Sequence, residues 1–85
     1  MVHSEIEEYF MRQLKIKYST DRDDEIEIYS INTFSGQYNG HLQESTAKAE
    51  GEYIVEECVD DWQQGLNTIL VNFQDTTHVH QIYVQ

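Results

Sequence analysis

Two histidines have the spacing of metal ligands on a strand. His78 and His80 are two residues apart, so their imidazoles would share one face of a strand, and Asp75 lies close to them in the sequence. Two imidazoles and a carboxylate are a ligand set that suits Zn²⁺ or a similar ion. Ile82 and Val84 continue the same face, however, which is typical of a core-facing strand with a polar end. Without a third ligand at a telling distance, we predict neither a metal site nor a cofactor.

Two further features contain residue types that could bind a metal ion or act as a nucleophile, but each lacks the neighbouring residues that such a site requires. The run from Asp21 to Glu25 is rich in carboxylates, but it lacks the central Gly and the closing Glu of an EF-hand calcium loop. Cys58 falls on the apolar side of a predicted helix, where a buried thiol has no base to activate it. No Ser-His-Asp arrangement, phosphate-binding loop or glycosidase-like carboxylate pair stands out. We therefore expect that the protein is not an enzyme.

The segment from Glu52 to Gln64 combines five acids with no Lys or Arg. Wound as a helix, it carries nearly all of its apolar residues on one side and its acids on the other. The acidic side consists of Glu52, Glu56, Glu57, Asp60 and Asp61. Three like-charge pairs four residues apart would each destabilise this helix by roughly 0.2–0.5 kcal/mol, so we interpret the negative face as a surface for a partner. Tyr53 falls amid these acids, where it either anchors an interface or packs on a neighbouring loop.

Periodicity predicts the elements that would position these residues. Ser4 and Glu7 fit a capping box that begins a first helix over residues 4–13, and the acidic segment forms a second helix over residues 50–64, followed by Gly65 in a left-handed conformation. Alternating apolar residues predict strands at residues 14–18 and 25–29. The Asn39-Gly40 turn predicts strands at 30–38 and 41–45 on its two sides, and two segments around the polar turn at 74–78 predict strands at 69–73 and 79–84. The expected order is α-β-β-β-α-β-β. This is an α+β fold in a single domain, residues 1–85, with an antiparallel sheet of about five strands and two packed helices.

Turn signals place two hairpins within the first half of the chain. Asn39-Gly40 is the strongest short hairpin signal, since both residues tolerate positive φ. A hairpin at the polar turn Ser19–Asp24 would set Lys15 and Lys17 on one strand against two acids on the next. These acids are Glu25 and Glu27. The lysines would then be engaged in local pairs and would not form a basic patch. The residues predicted to anchor the helices in the core are Phe10 and Trp62.

Composition narrows the classes of partner. The chain has 16 acids and 5 bases, a net charge of −11 and a pI near 4.4, so its surface is poorly suited to phosphates of nucleic acids or to anionic membranes. A hydrophobic fraction of 39% with 12% aromatic residues argues for a folded protein. The lone cysteine and the lack of a secretory or membrane-spanning segment lead us to expect a cytoplasmic protein. Basic proteins or cations are the expected partners, unless the charge serves only solubility or a salty cytoplasm.

In size, acidity and mixed α/β character, the chain resembles phage-encoded anti-CRISPR proteins and other DNA-mimic inhibitors. This resemblance implies an inhibitor, acting in the host cytoplasm, that presents carboxylates in place of phosphates to a nucleic-acid-binding protein or nuclease, such as a CRISPR effector. Carboxylates four residues apart on a helix are separated by about 6 Å along the axis, which is comparable to the phosphate spacing. The predicted partner-binding residues are Glu52, Tyr53, Glu56, Glu57, Asp60 and Asp61, together with Asp21, Asp23 and Asp24 in the first turn.

Two other functions fit the same sequence. The first is an immunity protein or antitoxin for a basic nuclease toxin, which would use the same electrostatics on one dedicated surface. The second is a small phage structural or assembly protein whose exposed strand edge pairs with another copy. The last predicted strand, which runs through Tyr83, is a candidate for that edge. The sequence leaves the oligomeric state open, a homodimer included.

Overall fold

The computed structural model describes all 85 residues and contains seven β-strands in two antiparallel sheets. The strands are β1 (His3–Phe10), β2 (Gln13–Thr20), β3 (Asp24–Asn32), β4 (Tyr38–Lys48), β5 (Gly51–Cys58), β6 (Gly65–Asn72) and β7 (Thr77–Val84). There is no helix, so the predicted α+β fold with two packed helices is wrong and the chain is all-β. It follows that no helix is long and apolar enough to cross a membrane.

The topology is built on one long hairpin that is folded across its middle. β2 runs through a bend at residues 21–23 into β3, and β4 runs through residues 49–50 into β5. The two long arms pair throughout, because Thr20 faces Gly51 just before the bend and Asp24 faces Lys48 just after it. β1 is added beside β2, and the β6–β7 hairpin is added beside β3. The result is a three-stranded sheet in the order β1-β2-β5 and a four-stranded sheet in the order β4-β3-β6-β7.

The core lies between the two sheets. It is formed by inward-facing residues of both sheets, by two residues of the loop after β5 and by one residue of the β6–β7 turn: Leu14, Ile16, Tyr18, Ile26, Ile28, Val59, Trp62, Ile69, Val71, Phe73, Ile82 and Val84. Strict alternation on β2, β3 and β6 supplies most of them, as expected for strands with one buried face. The prediction that Trp62 is a core residue is confirmed, whereas Phe10 is 65% exposed. Phe10 fails because it pairs with Gln13 on the outer face of the three-stranded sheet.

A β-bulge explains the first wrong helix. Ile6 faces Ile16 and Tyr9 faces Leu14, but the register slips between them, so that Glu7 is an extra residue without a partner on β2. The bulge turns two residues three positions apart toward the core. Residues on one face of a helix have this spacing, and Phe10 and Leu14 extend it in steps of four from Ile6, which together give the helical periodicity that the prediction used. Ser4 is therefore a buried residue of β1 and not a helix cap.

The second wrong helix arose from a spacing that helices and strands share. Residues four apart lie on one side of a helix and also on one face of a strand, so Glu52 and Glu56 fit both. β5 ends at Cys58, and residues 59–64 form a loop. The segment extends as a strand because Tyr53, Ile54 and Val55 are β-branched or aromatic, and because it pairs with β2 over eight residues. The like-charge pairs four residues apart, which would destabilise a helix in this segment, are consistent with its forming a strand instead.

The hairpin predictions have mixed outcomes. The turn Ser19–Asp24 does separate two strands, but β2 and β3 lie in different sheets and do not pair. Asn39 and Gly40 lie inside β4, near a register shift, and the β3–β4 turn is at residues 33–37, with Gly36 at a φ of 75°. The hairpin of the last two strands is confirmed, with β6 extending back to Gly65. Gly65 has positive φ, but it begins a strand and does not end a helix.

Candidate functional site

The outer face of the three-stranded sheet alternates acidic and basic strands. Lys15 and Lys17 lie on the central strand β2, where Lys15 Nζ is 3.8 Å from Glu8 Oε1 of β1 and 3.9 Å from Glu56 Oε1 of β5. Lys17 Nζ is 3.8 Å from Glu52 Oε1. The lysines are therefore engaged in cross-strand pairs, as predicted, but their predicted partners on β3 were wrong. These pairs are exposed, so each stabilises the sheet by less than about 1 kcal/mol.

The outward row of β5 keeps only part of the predicted acidic site. We call this strand with its outward residues the acidic edge: Glu52, Ile54, Glu56 and Cys58. Ile54 is 55% exposed between the two acids, and the thiol of Cys58 is also exposed, contrary to its predicted burial. Glu52 and Glu56 are about 13 Å apart along the strand, since a strand rises about 3.3 Å per residue. The spacing of about 6 Å that a helix would have given them does not exist.

The inward row of β5 removes Tyr53 and Glu57 from the predicted surface. Tyr53 stacks on Tyr18 with ring centroids 5.3 Å apart, and its hydroxyl donates to the carbonyl of Ala49 at 2.6 Å. Lys48 Nζ lies 4.8 Å from the centroid of the same ring. Tyr53 thus packs within the protein and does not stand among carboxylates. Glu57 also points inward, and its burial raises the pKa of its carboxyl above the ordinary value of 4.5.

The remaining predicted acids are dispersed. Asp60 and Asp61 are exposed in the loop after β5, and Asp60 Oδ1 is 3.8 Å from Arg12 Nε. Asp21 and Asp23 are exposed at the bend between β2 and β3, where Asp21 contacts the amino group of Met1. The structure therefore brings only Glu52 and Glu56 together on one face of one strand.

Asp24 is the exception among the acids, because it is buried and has a structural role. Its Oδ1 accepts hydrogen bonds from the backbone N–H groups of Glu25 at 2.7 Å and of Gln74 at 3.0 Å. The second bond ties the β2–β3 bend to the β6–β7 turn. Arg22 Nη2 reinforces this junction by donating to Asp75 Oδ2 at 2.5 Å. Asp24 is therefore not available to a partner, contrary to its predicted role.

The two histidines considered as metal ligands face inward like Ile82 and Val84, and both contact a serine. Ser4 Oγ of β1 lies 2.6 Å from His78 Nδ1 and 2.8 Å from His80 Nε2. One hydroxyl can donate to one neutral imidazole and accept from the other. Burial, followed by the nearby His78, lowers the pKa of His80. Asp75 is bound to Arg22, and no group of three His, Cys, Asp or Glu side chains has the geometry to hold a metal ion.

A second strand edge was only partly anticipated from the sequence. β7 bonds to β6 on one side only, so the expectation that the last strand is an edge is confirmed. We call β7 with its outward residues the uncharged edge: Thr77, Val79, Gln81 and Tyr83. Val79 and Tyr83 are 59% and 63% exposed. Neither β6 nor β7 carries an Asp, Glu, Lys or Arg. In a chain of net charge −11, this absence of charge distinguishes the two strands in the sequence alone.

The four edge strands differ in regularity. The pairing of β1 is interrupted by its bulge, and that of β4 by three register shifts. β5 and β7 each pair over eight residues without a shift. Bulges protect a strand edge from pairing with other chains, so β5 and β7 are the two edges that remain suited to it. The fold and its edges thus define a two-sheet antiparallel β-protein with two regular, unpaired edges of different charge.

Comparisons of this chain with protein-family models, with curated proteins and with solved structures find no match.

Proposed function

We propose that this protein is a binding protein, not an enzyme, and that it takes up an extended basic segment of a partner protein along the acidic edge. The observation that carries the proposal is that one edge of β5 has no hydrogen-bonding partner. It is a regular strand that bonds only to β2, and no turn, loop or side-chain hydrogen bond reaches its backbone. An added strand would gain main-chain hydrogen bonds, as in known modes of peptide recognition by sheet edges.

The charge pattern of the sheet specifies the chemistry of the added strand. An acidic row on β1, a basic row on β2 and an acidic row on β5 already stabilise one another across the outer face. A carboxylate has two oxygens, so Glu52 and Glu56 can accept from a second cation on the side away from β2. The next strand in this pattern is therefore basic at two positions four residues apart, with an apolar residue between them to cover Ile54.

Nucleic-acid-binding proteins and nucleases are the partner class that we propose first, because their surfaces present Lys and Arg. Occupying a basic strand or segment of such a protein would inhibit it, whether this chain acts as an inhibitor or as an immunity protein. The proposal keeps a basic partner but not the mimicry of phosphate spacing, which depended on a helix. We propose the cytoplasm as its location, where Cys58 would stay reduced.

A designed peptide tests this site directly. We expect the peptide Thr-Lys-Thr-Val-Thr-Lys-Thr to bind in calorimetry, to bind less tightly as salt is raised, and to slow hydrogen exchange at amides of β5. The same peptide with Glu in place of Lys should not bind. Replacing Glu52 and Glu56 by Gln should weaken binding by about threefold to tenfold, the range expected for two exposed ion pairs.

The matched control changes the same outer face at its other edge. Replacing Glu5 and Glu8 of β1 by Gln alters the net charge equally and also removes carboxylates that lie opposite the two lysines. These residues are on the bulged edge, so binding should hardly change. Equal weakening by both pairs of substitutions, or no weakening by the first, would show that the acidic edge is not the binding site.

A further inference from the structure

We propose that the uncharged edge pairs with the same edge of a second copy of this chain, so that two four-stranded sheets become one sheet of eight strands. This inference concerns a different strand from the proposed partner site and does not rest on it. A strand edge with unpaired N–H and C=O groups is a template for another strand, and proteins normally block it with charge, proline or a bulge. β7 has none of these three protections.

Self-pairing requires an edge that does not repel its own copy. At the acidic edge, a copy paired about Ile54 would place Glu52 opposite Glu56 twice, and like charges directly opposite each other destabilise a sheet. At the uncharged edge, the corresponding positions hold Val79 and Tyr83. In a chain with 16 acids, the β6–β7 hairpin is therefore a region where two copies can approach without charge repulsion.

The free part of the strand determines the register. Thr77 adjoins the β6–β7 turn, and the carbonyl of Gln85 already accepts a hydrogen bond from Arg12 Nη2 at 2.5 Å. The stretch open to pairing is therefore His78–Val84, and its centre is Gln81. Ser4 reaches β7 from the other sheet, but it contacts the inward imidazoles and not the backbone. A twofold axis at Gln81 uses the whole free stretch and keeps inward and outward faces continuous across the junction.

This register gives favourable side-chain pairs. On the outer face, Val79 of each copy lies opposite Tyr83 of the other, and aromatic with β-branched pairs stabilise antiparallel strands. On the inner face, His80 lies opposite Ile82. The outward apolar residues of β6, Leu66 and Leu70, then join those of the second copy in one continuous surface. A pairing of seven residues spans only about 23 Å, which buries less area than the roughly 800 Å² per partner of a typical stable interface, so a weak dimer is expected.

Sedimentation over a roughly hundredfold range of concentration tests the proposal. The apparent mass should rise from 10.1 kDa toward twice that value as concentration increases. Gln81→Lys places two like charges opposite each other on the axis and should shift the midpoint at least tenfold toward higher concentration. Gln74→Lys makes the same chemical change at an exposed position in the β6–β7 turn and should leave it unchanged. A strict monomer, or a dimer that both variants affect equally, overturns the proposal.

A disulfide tests the register independently of affinity. Residues directly opposite on antiparallel strands have Cα atoms about 4.5–5.5 Å apart, which is within the range of a disulfide. In a chain with Cys58 replaced by Ser, Gln81→Cys should therefore cross-link into a dimer under mild oxidation, while Gln74→Cys should stay monomeric. A dimer in which Gln81→Cys does not cross-link contradicts the axis at Gln81 and with it the proposed pairing.

Discussion

The acidic edge and the uncharged edge have the same kind of backbone and differ in their outward side chains, of which two on each strand matter most. Both are regular strands of eight residues that pair on one side only. Both have an outward row with two large side chains four residues apart, which are Glu52 and Glu56 on β5 and Val79 and Tyr83 on β7. The backbone supplies the hydrogen bonds in either case, so the side chains decide which strand is accepted. Under the two proposals, the charge on β5 would select a foreign basic strand, and the absence of charge on β7 would permit pairing with a second copy.

The inward rows of the two edges have a common property. Glu57 on β5 and His80 on β7 are both partly buried, and burial favours the neutral form of each. The carboxyl therefore has a raised pKa and the imidazole a lowered one. As the pH falls from neutral, protonation of Glu57 removes a partly buried charge at the acidic edge. Protonation of His80 places a partly buried charge at the uncharged edge. The two edges are thus expected to respond to acid in opposite directions.

The largest effect should come from giving β5 the outward residues of β7. With Glu52→Val and Glu56→Tyr, each molecule would have two edges that pair with copies, and an interface that does not close generates open chains. We expect particles much larger than a dimer in light scattering. In the same variant carrying Gln81→Lys, growth should stop at a dimer joined through β5. Particles that persist in that background would show that the uncharged edge does not take part in the assembly.

A smaller effect is expected from the reverse exchange. Val79→Glu with Tyr83→Glu gives β7 the acids of β5 and places Glu opposite Glu twice across the proposed axis. The midpoint of self-association should shift at least tenfold toward higher concentration. The basic test peptide should now find two sites, so its stoichiometry in calorimetry should rise from one to two. An unchanged stoichiometry would mean that the acids alone do not determine what a strand edge accepts.

The sequence predicted the positions of several strands more reliably than it predicted which strands pair. β2 was recognised because its apolar residues alternate over the length of the strand, and β6 and β7 because two apolar segments flank a polar turn. β7 was also identified as an edge candidate. β1 was missed because its bulge imitates helical spacing, and β5 because acids four residues apart fit both structures. Which strands pair depends on contacts distant in sequence, and no local pattern shows that β2 and β3 belong to different sheets.

The candidate site was predicted in part, for related reasons. Glu52 and Glu56 do share an exposed face, because residues four apart do so in a helix and in a strand alike. Tyr53 and Glu57 were placed on that face only by the rotation of a helix, and in a strand their odd positions point inward. The buried role of Asp24 depends on Gln74, fifty residues away, and could not be read from the turn.

The response of the uncharged edge to acid depends on His80, which lies beside His78 on its own strand and contacts Ser4 of β1. The charge of His3 also acts on it. Burial holds the pKa of His80 below its ordinary value of 6.5, so the unfolded chain binds its proton first as the pH falls. The folded state therefore loses no stability to His80 above pH 6.5, and it becomes less stable as the pH falls below 6.5. Between about pH 7.5 and 5.5, the Tm of the wild type should fall by about 2–5 °C more than that of His80→Gln. Parallel declines would exclude His80 as the cause.

The response of the acidic edge should be smaller and opposite in sign. Burial raises the pKa of Glu57 above 4.5, so its charged form costs stability at neutral pH, and the cost is relieved as the pH falls through the raised value. Glu57→Gln should therefore raise the Tm by about 1–4 °C near neutral pH, with the gain vanishing as the pH approaches about 4.5. Glu56→Gln is the control. Glu56 is the exposed neighbour of Glu57 on the outward row, and its substitution removes an ion pair with Lys15, so the Tm of this variant should not rise. If both variants gain equally, the relief comes from lowering the net charge and not from the buried position, and the inward and outward rows of β5 would not differ as proposed.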